Sequence, residues 1–409
     1  MTDCCPSNGL LPVDEAIAQL QQAASSTLPR IEYIHVNQAL GRVLAQDMVA
    51  SLDVPPQANS AMDGYALNIE DIRADASFVL SQRIAAGTAP QALERGTVAR
   101  IFTGAVIPQN ANAVVMQENC QLLADGRVKI LSWPTLNSNI RPQGQDIAKG
   151  DVILRQGQPL NAAALGLIAT IGQDTVAVYQ RLKVIYFCTG DELVAANQPL
   201  KIGQIYNSNG VLLHNLLTEY GFEAIDGGVI ADNLTDTINT LQQAAQQADV
   251  VMTTGGVSVG EEDHVKAALT QIGHLDLWKI AIKPGKPLAF GSIGNTPFLG
   301  LPGNPQSVFV TFNILARVFL AYKQGQRHNV IPKPVPVACD FEVTKAQSRR
   351  EYLRVQLVAT ADGVRLQKHA NQSSGVLSSA VWADGFAIIE AHQTVQKGES
   401  VGFVSLSAY

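Results

Sequence analysis

The sequence predicts a multidomain chain of class α/β plus β, on three observations. From residue 181 to about 331, strand-like apolar runs alternate with segments of helical periodicity. Residues 60–145 and 332–409 instead carry short β-like runs separated by Gly, Pro and Asn. Residues 12–24 and 151–172 place apolar side chains at helical spacing. With 409 residues, 46% of them hydrophobic, the chain can bury more than one core, which implies about two to four domains.

At the N-terminus, Val13, Ile17, Leu20 and Ala24 form one helical stripe, and Asp14 and Glu15 suit the positive end of the helix dipole. A short strand around Ile34 and Val36 follows, then a second helix around Leu40, Val43 and Leu44. The Pro-rich stretch 53–64, with Pro55-Pro56, marks a boundary. The runs 78–80, 98–102, 113–116 and 128–131 make a small mainly-β domain. Leu160, Ala164, Leu167, Ile168 and Ile171 restore the helical period, so the β domain is expected to be an insertion in a helical one.

Beyond residue 181 the expected order is strand 184–188, helix 210–220, strand 223–229, helix 233–248, strand 249–253 and helix 263–272. Such alternation implies a parallel sheet with right-handed crossovers and helices on both faces. Runs 277–282 and 288–290 extend the sheet, 298–301 adds an edge, and 304–322 is a long apolar helix. Runs 335–343, 352–357, 364–367, 386–389 and 401–406 predict a closing small barrel or sandwich.

A net charge of −6, with no basic cluster longer than Arg349-Arg350, argues against nucleic acid. No apolar run approaches a membrane span, and the N-terminus lacks the charge and apolar core of a signal peptide, so a cytoplasmic protein is expected. The five cysteines are odd in number and lack a CxxC spacing, which supports neither a disulfide framework nor a zinc site. Cys4-Cys5 is assigned to a disordered tail, and Cys188, in an apolar run, to a buried structural thiol.

The richest chemistry lies where the strand 249–253 opens into Thr254-Gly-Gly-Val-Ser-Val-Gly-Glu-Glu-Asp263. Glycines 255, 256 and 260 allow successive N–H groups to converge on an oxyanion. Ligands of parallel sheets bind beyond the carboxyl ends of the strands, which also selects 189–193 and 301–305. Acids there could hold Mg²⁺ against phosphate oxygens; Asp263 is assigned that role, and Glu261 and Glu262 the role of helix N-terminal acids. Strand alternation over 279–283 puts Lys279 and Lys283 on one face, with Lys286 across a Pro-Gly turn. A Walker A loop fails for want of Gly-Lys-Ser/Thr, and a Rossmann fingerprint for its glycine spacing. Gly256-Val-Ser258-Val-Gly260 does match the nucleophile elbow of a serine esterase, the rival reading, but no HGGG-type segment precedes it and three acids follow.

Taken together, Asn59-Ser-Ala-Met-Asp63-Gly-Tyr-Ala, Thr103-Gly-Ala, Arg141-Pro-Gln-Gly-Gln-Asp146, Thr189-Gly-Asp-Glu-Leu, the 254–263 loop, Ile282-Lys-Pro-Gly-Lys-Pro and Leu301-Pro-Gly-Asn-Pro resemble the molybdopterin molybdenumtransferase (MoeA) family, to which the gephyrin E domain also belongs. The motifs run in family order over about residues 10–409. The resemblance implies an extended helical domain in two segments (1–58 and 146–180), an inserted mainly-β domain (59–145), a three-layer α/β molybdopterin-binding domain (181–331) and a C-terminal β-barrel (332–409). It further implies insertion of molybdate into adenylylated molybdopterin with Mg²⁺-dependent release of AMP. The active cleft would be shared between the subunits of a homodimer, with an adenylyltransferase and molybdoenzyme-delivery proteins as partners. A non-catalytic scaffold paralogue would keep the fold but lose cleft acids, which are retained here.

Carried over by position, the resemblance assigns catalytic roles to Asp63, Thr103, Asp146, Glu192, Asp232, Asp263, Lys279 and Lys283, with Glu192 and Asp263 as metal ligands. Gly255, Gly256, Ser258, Gly260, Lys286, Pro302, Gly303, Asn304, Arg349 and Ser374 would bind substrate. The chain departs from the family pattern at Gln57-Ala58, His264 and Gln306, which bears on fine specificity.

Overall fold

The computed structural model describes residues 9–25, 27–73, 77–231, 233–256, 264–285 and 287–408. The chain opens with helix α1 (Val13–Ala24), which buries Val13, Ala16, Leu20 and Ala24 on one stripe. Strand β1 (Ile31–His35) follows. The helix expected around Leu40–Leu44 does not form. Val43 and Leu44 are instead buried in isolated bridges to Pro159 and Val178, so their apolar pairing is satisfied by extended backbone.

The inserted region is a six-stranded sheet made of β2 (Gly64–Leu67), β3 (Ser77–Ile84), β4 (Thr97–Ile101), β5 (Ala113–Met116), β6 (Cys120–Leu122) and β7 (Val128–Ile130), in the order β5-β2-β4-β3-β7-β6. After it comes α2 (Ala162–Thr170), capped by the Asn161 side chain accepting from the Ala164 N–H, and then β8 (Thr175–Tyr179). Strand β8 pairs antiparallel with β1, which ties the two ends flanking the insertion together.

Strands β9 (Lys183–Thr189), β10 (Glu223–Ile230) and β11 (Val250–Thr254) alternate with α3 (Ser208–Glu219), α4 (Leu234–Gln247) and α5 (His264–Ile272). Further along come β12 (Gly273–Lys279), β13 (Ile282–Lys283), β14 (Pro287–Ile293) and β15 (Thr296–Leu301). One sheet has the order β10-β9-β11-β15-β14-β12. Its first four strands are parallel, and β14 and β12 continue it antiparallel. Strand β15 is therefore interior and not the expected edge. Its run Phe298–Leu301 is buried without alternation, as a strand covered on both faces must be. One core cluster carries Leu213, Leu217 and Phe319, and another Leu241, Val265 and Leu269, all packed with residues of the sheet's strands.

The long helix expected after Pro305 is α6 (Pro305–Thr311), a π-helical stretch (Phe312–Ala316) and α7 (Arg317–Lys323). The chain ends in β16 (Val335–Ala338), β17 (Arg350–Thr360), β18 (Gly363–Lys368), β19 (Gly385–Ile389) and β20 (Ser400–Ser405). Their sheet has the order β13-β17-β19-β20-β16, with β18 also on β17. Strand β13, from the middle of the chain, belongs to this sheet. No described helix is long and apolar enough to cross a membrane. Cys188 is buried, and burial pushes its thiol up in pKa, in keeping with a structural role. Cys4 and Cys5 lie outside the described residues.

Candidate active site

The carboxyl ends of β9, β11 and β15 converge. Gly255 donates its N–H to the Leu301 carbonyl at 3.0 Å, and a Cβ on Gly303 would lie 3.7 Å from the Gly255 Cα. Gly255 has φ +83° and Gly256 +64°, both in the left-handed region that glycine adopts freely. A Cβ at Gly255 would sit 2.6 Å from the Thr189 Oγ1, and one at Gly256 2.6 Å from the Val265 Cγ2. The expected nest of N–H groups is thus partly overturned. The Gly255 N–H is spent on Leu301, so it is not among the donors aimed at a ligand.

At the end of β9, a Cβ on Gly190 would overlap the Glu192 carboxylate, so this exposed side chain folds back over the turn. Asn209, in the first turn of α3, donates to the Gly303 carbonyl at 2.7 Å. Its buried Oδ1 has no hydrogen-bond partner among the described residues. A buried unmet acceptor costs about 1–3 kcal/mol, which a donor from a ligand at the strand ends would offset.

Asn304 precedes α6 without capping it. It donates instead to the Ser374 Oγ at 3.1 Å, and the Gln306 N–H donates to the Ser374 carbonyl at 3.0 Å. The substitution at Gln306 thereby keeps a backbone tie between the Pro302–Asn304 turn and the C-terminal region. Its buried Nε2 is unpaired among the described residues.

Lys283 and Arg349 come together beside this shelf. Lys283 pairs with Glu351 at 3.1 Å, and Arg349 donates to the Ile282 carbonyl at 3.3 Å. A Cβ on Gly285 would approach the Pro302 Cγ at 3.7 Å, which links the Lys283 turn to the Pro302 loop. The expectation that Lys279 and Lys283 share one strand face is wrong. Lys279 ends β12, and Ile280 bridges to Leu11, so the chain leaves one sheet and Lys283 enters another. Lys279 is exposed, and its carbonyl accepts from the Leu11 N–H at 2.9 Å.

On the inserted sheet, the exposed Asp63 accepts from the Thr103 N–H and hydroxyl, each at 2.8 Å. These bonds, the backbone one foremost, hold its carboxyl below the usual carboxylate range, helped by the Arg100 charge. Asp146 stands in a loop whose ends are clamped by Asp53, which accepts from the Lys149 N–H at 2.8 Å and the Gln143 Nε2 at 2.6 Å. The structure joins Asp63 to Thr103 but not to Asp146, and both groups sit on elements other than the shelf. Asp232, Ser258, Gly260, Asp263 and Lys286 lie outside the described residues.

Residues without a role in the sequence reading are Asn209, Glu351 and Arg354. Arg354 is fully buried, donates to Ser379 and Tyr352, and leaves its Nη2 without a partner among the described residues; burial lowers its pKa to about 10. The signal for Arg354 was present as a charged residue inside an otherwise apolar strand pattern, Tyr352 to Val355. Asn209 and Glu351 gave no such signal, because their partners are remote in sequence.

Residues 11–172 match the family model of the MoeA N-terminal region (domain I and II), 185–322 that of a probable molybdopterin binding domain, and 336–406 that of the MoeA C-terminal region (domain IV). The chain is 38% identical over 391 residues to the molybdopterin molybdenumtransferase of Haemophilus influenzae, across 93% of this chain and 97% of that one. The chain belongs to the MoeA family. Another MoeA relative, the molybdopterin molybdenumtransferase of a Nostoc species, is 34% identical over 90% of this chain and 87% of its own length. Among solved MoeA structures, a molybdopterin biosynthesis protein of Pyrococcus horikoshii superposes with a TM-score of 0.83 at 27% identity, covering 97% of this chain and 100% of that one.

Proposed function

We propose that this chain is a molybdopterin molybdenumtransferase of molybdenum cofactor biosynthesis, inserting molybdate into adenylylated molybdopterin with release of AMP. Full-length kinship with enzymes of that name supports the activity. The observation that carries it is the shelf at the strand ends, where Gly255, Asn209, Pro302–Asn304 and Ser374 are tied together beside Lys283. Such a shelf suits a substrate with several anionic oxygens. Lys283 and Arg349 would neutralise phosphate or molybdate oxygens, and Asn304 and Ser374 would orient them. Gly255 and Gly256 keep the approach open to a bulky anion. Ser258, Gly260, Asp232, Lys279 and Lys286 are assigned to the same crevice by resemblance alone. A serine esterase has no support in the kinship, which covers 93% of this chain.

Mg²⁺ usually binds through one or two carboxylates plus waters and substrate phosphates. No group of three or more His, Cys, Asp or Glu side chains gathers among the described residues, but Glu192, folded over Gly190 at a strand end, fits such a sparse donor set. Glu192 and Asp263 would hold the ion, which when bound would draw off negative charge from the phosphates.

Asp63, Thr103 and Asp146 are assigned to the facing wall, supplied by the second subunit of a homodimer. The four units 1–58 with 146–180, 59–145, 181–331 and 332–409, the barrel character of the last, a cytoplasmic location, and partnership with an adenylyltransferase and delivery proteins complete the reading. The test is to incubate the protein with adenylylated molybdopterin, molybdate and Mg²⁺. AMP release together with reconstitution of an apo-molybdoenzyme is expected; the absence of both would overturn the assignment.

A further inference from the structure

A cleft of about 540 Å³ lies away from the strand ends, where the turn at Leu40–Gly41 meets the far end of α3 and the start of α7. Its volume is within the range of small-molecule sites. Leu40, Pro159, Tyr220 and Phe222 give it apolar walls. The contact that shapes it is close, because a Cβ on Gly221 would lie 3.4 Å from the Gly41 carbonyl oxygen.

Two guanidiniums line the same space. Arg317 is buried, donating to the Val330 carbonyl at 2.7 Å, with its guanidinium carbon 5.5 Å from the centre of the Tyr220 ring. Tyr220 is locked by its hydroxyl on the Asn313 Oδ1 at 2.8 Å and by stacking on Phe312. Arg181 is exposed and makes no ion pair among the described residues. Glu219 is the one acid lining the cleft among the described residues; Arg181 is the exposed cation at its mouth, and the buried Arg317, committed to the Asn313 and Val330 carbonyls, adds its charge from behind the wall. Both faces of the Tyr220 ring are covered, by Phe312 and by Arg317, so the ring is a fixed edge of the cleft, and the apolar surface open to a ligand comes from Leu40, Pro159 and Phe222. Apolar walls beside an excess of positive charge suit an apolar body carrying one negative charge. Arginine's planar fork matches a carboxylate in particular.

We propose that this cleft binds a small organic monocarboxylate with an apolar body, at a site separate from the strand-end shelf. The proposal does not depend on the reaction assigned above. The cleft bears on the shelf through α3. Its twelve residues span roughly 18 Å, with Asn209 on Gly303 near one end and Thr218–Phe222 lining the cleft at the other.

The full-length protein should be titrated with phenylacetate, its neutral isostere phenylacetamide, and inorganic phosphate, using saturation-transfer NMR and calorimetry. Phenylacetate is expected to bind about fivefold or more tightly than phenylacetamide, and Arg181→Gln to remove that advantage. Thr218→Trp, at an exposed lining position, should block the cleft and abolish binding while the thermal midpoint holds. Absence of phenylacetate binding to the unaltered protein would overturn the proposal. So would binding unchanged by both substitutions, or phosphate displacing phenylacetate as an equal, since the site would then read charge alone.

Discussion

At the strand ends of the α/β region, polar groups are locked by partners that come from far along the chain: Asn209 on Gly303, Asn304 on Ser374, Lys283 on Glu351. On the inserted sheet, Asp63 is exposed and held by one residue, Thr103, through two short bonds. The first arrangement is a mould, whose shape depends on several segments at once. The second is a single charge held out on a rigid arm, and it gains chemical meaning only when something faces it. The difference explains why the two sides should respond differently to mutation, one through shape and the other through charge.

The sharpest way to break the mould is Gly256→Ala. A left-handed backbone costs an alanine about 1–2 kcal/mol, and its Cβ would overlap the Val265 Cγ2. AMP release is expected to fall about a hundredfold, as for a reacting group misplaced by an ångström, with a lower thermal midpoint. A near-normal rate would mean that the turn at 256 is no part of the mould.

The arm is tested by complementation. If the cleft is shared between subunits as proposed, Asp63→Asn and Lys283→Ala proteins, each expected to be inactive, should after subunit exchange regain up to about a quarter of the normal rate, because about half of random dimers would be mixed and each would have one intact cleft. Exchange verified by mass spectrometry without recovered activity would place both residues in one subunit's site.

Glu351→Gln separates shape from charge within the mould. Lys283 is about a third exposed, at 35% of its side chain, while Glu351 is nearly buried. The expected loss is about 1–2 kcal/mol, less than for a fully buried pair, read from urea midpoints. An unchanged midpoint would show that the pair positions Lys283 without stabilising the fold.

The smallest effect belongs to Thr103→Val. It removes the hydroxyl bond to Asp63 and leaves the stronger backbone one, so the Asp63 carboxyl should titrate higher but still below an ordinary aspartate. Carboxylate NMR over acid pH measures this directly. Because the folded-state value is depressed, the stabilisation this group provides is present above the ordinary aspartate range and is lost as pH falls through the depressed value. A titration in Thr103→Val identical to that of the unaltered protein would mean that the hydroxyl contributes nothing.

The alternating strands and helices after residue 181, the glycine turn at 254–256 and the Pro302–Asn304 loop were legible because each is written in local periodicity and turn chemistry. What failed was partner choice. Strand alternation correctly describes one continuous strand, but the chain at Ile280 is diverted by pairing with Leu11, some 270 residues away, and Lys283 changes sheet. The interior place of β15 is written in its unbroken apolar run, because only a strand covered on both faces needs one. Val43 and Leu44 look helical by spacing but are claimed by Pro159 and Val178. Within the site, single residues such as Asp63 could be found by motif, whereas Asn209 and Glu351 acquire their roles only from contacts across the fold.

Strand β13 lends Lys283 to the crevice while hydrogen-bonding through its backbone to β17 of the C-terminal sheet. The last eighty or so residues are therefore not a detachable accessory. A chain cut near residue 332 would lose the strand that carries the backbone of Lys283, the acid that steadies its ammonium and the serine that anchors Asn304. Shuffling such a module between relatives, or splitting the chain there for separate expression, would divide one reactive surface between two pieces, with the cost falling on chemistry before solubility.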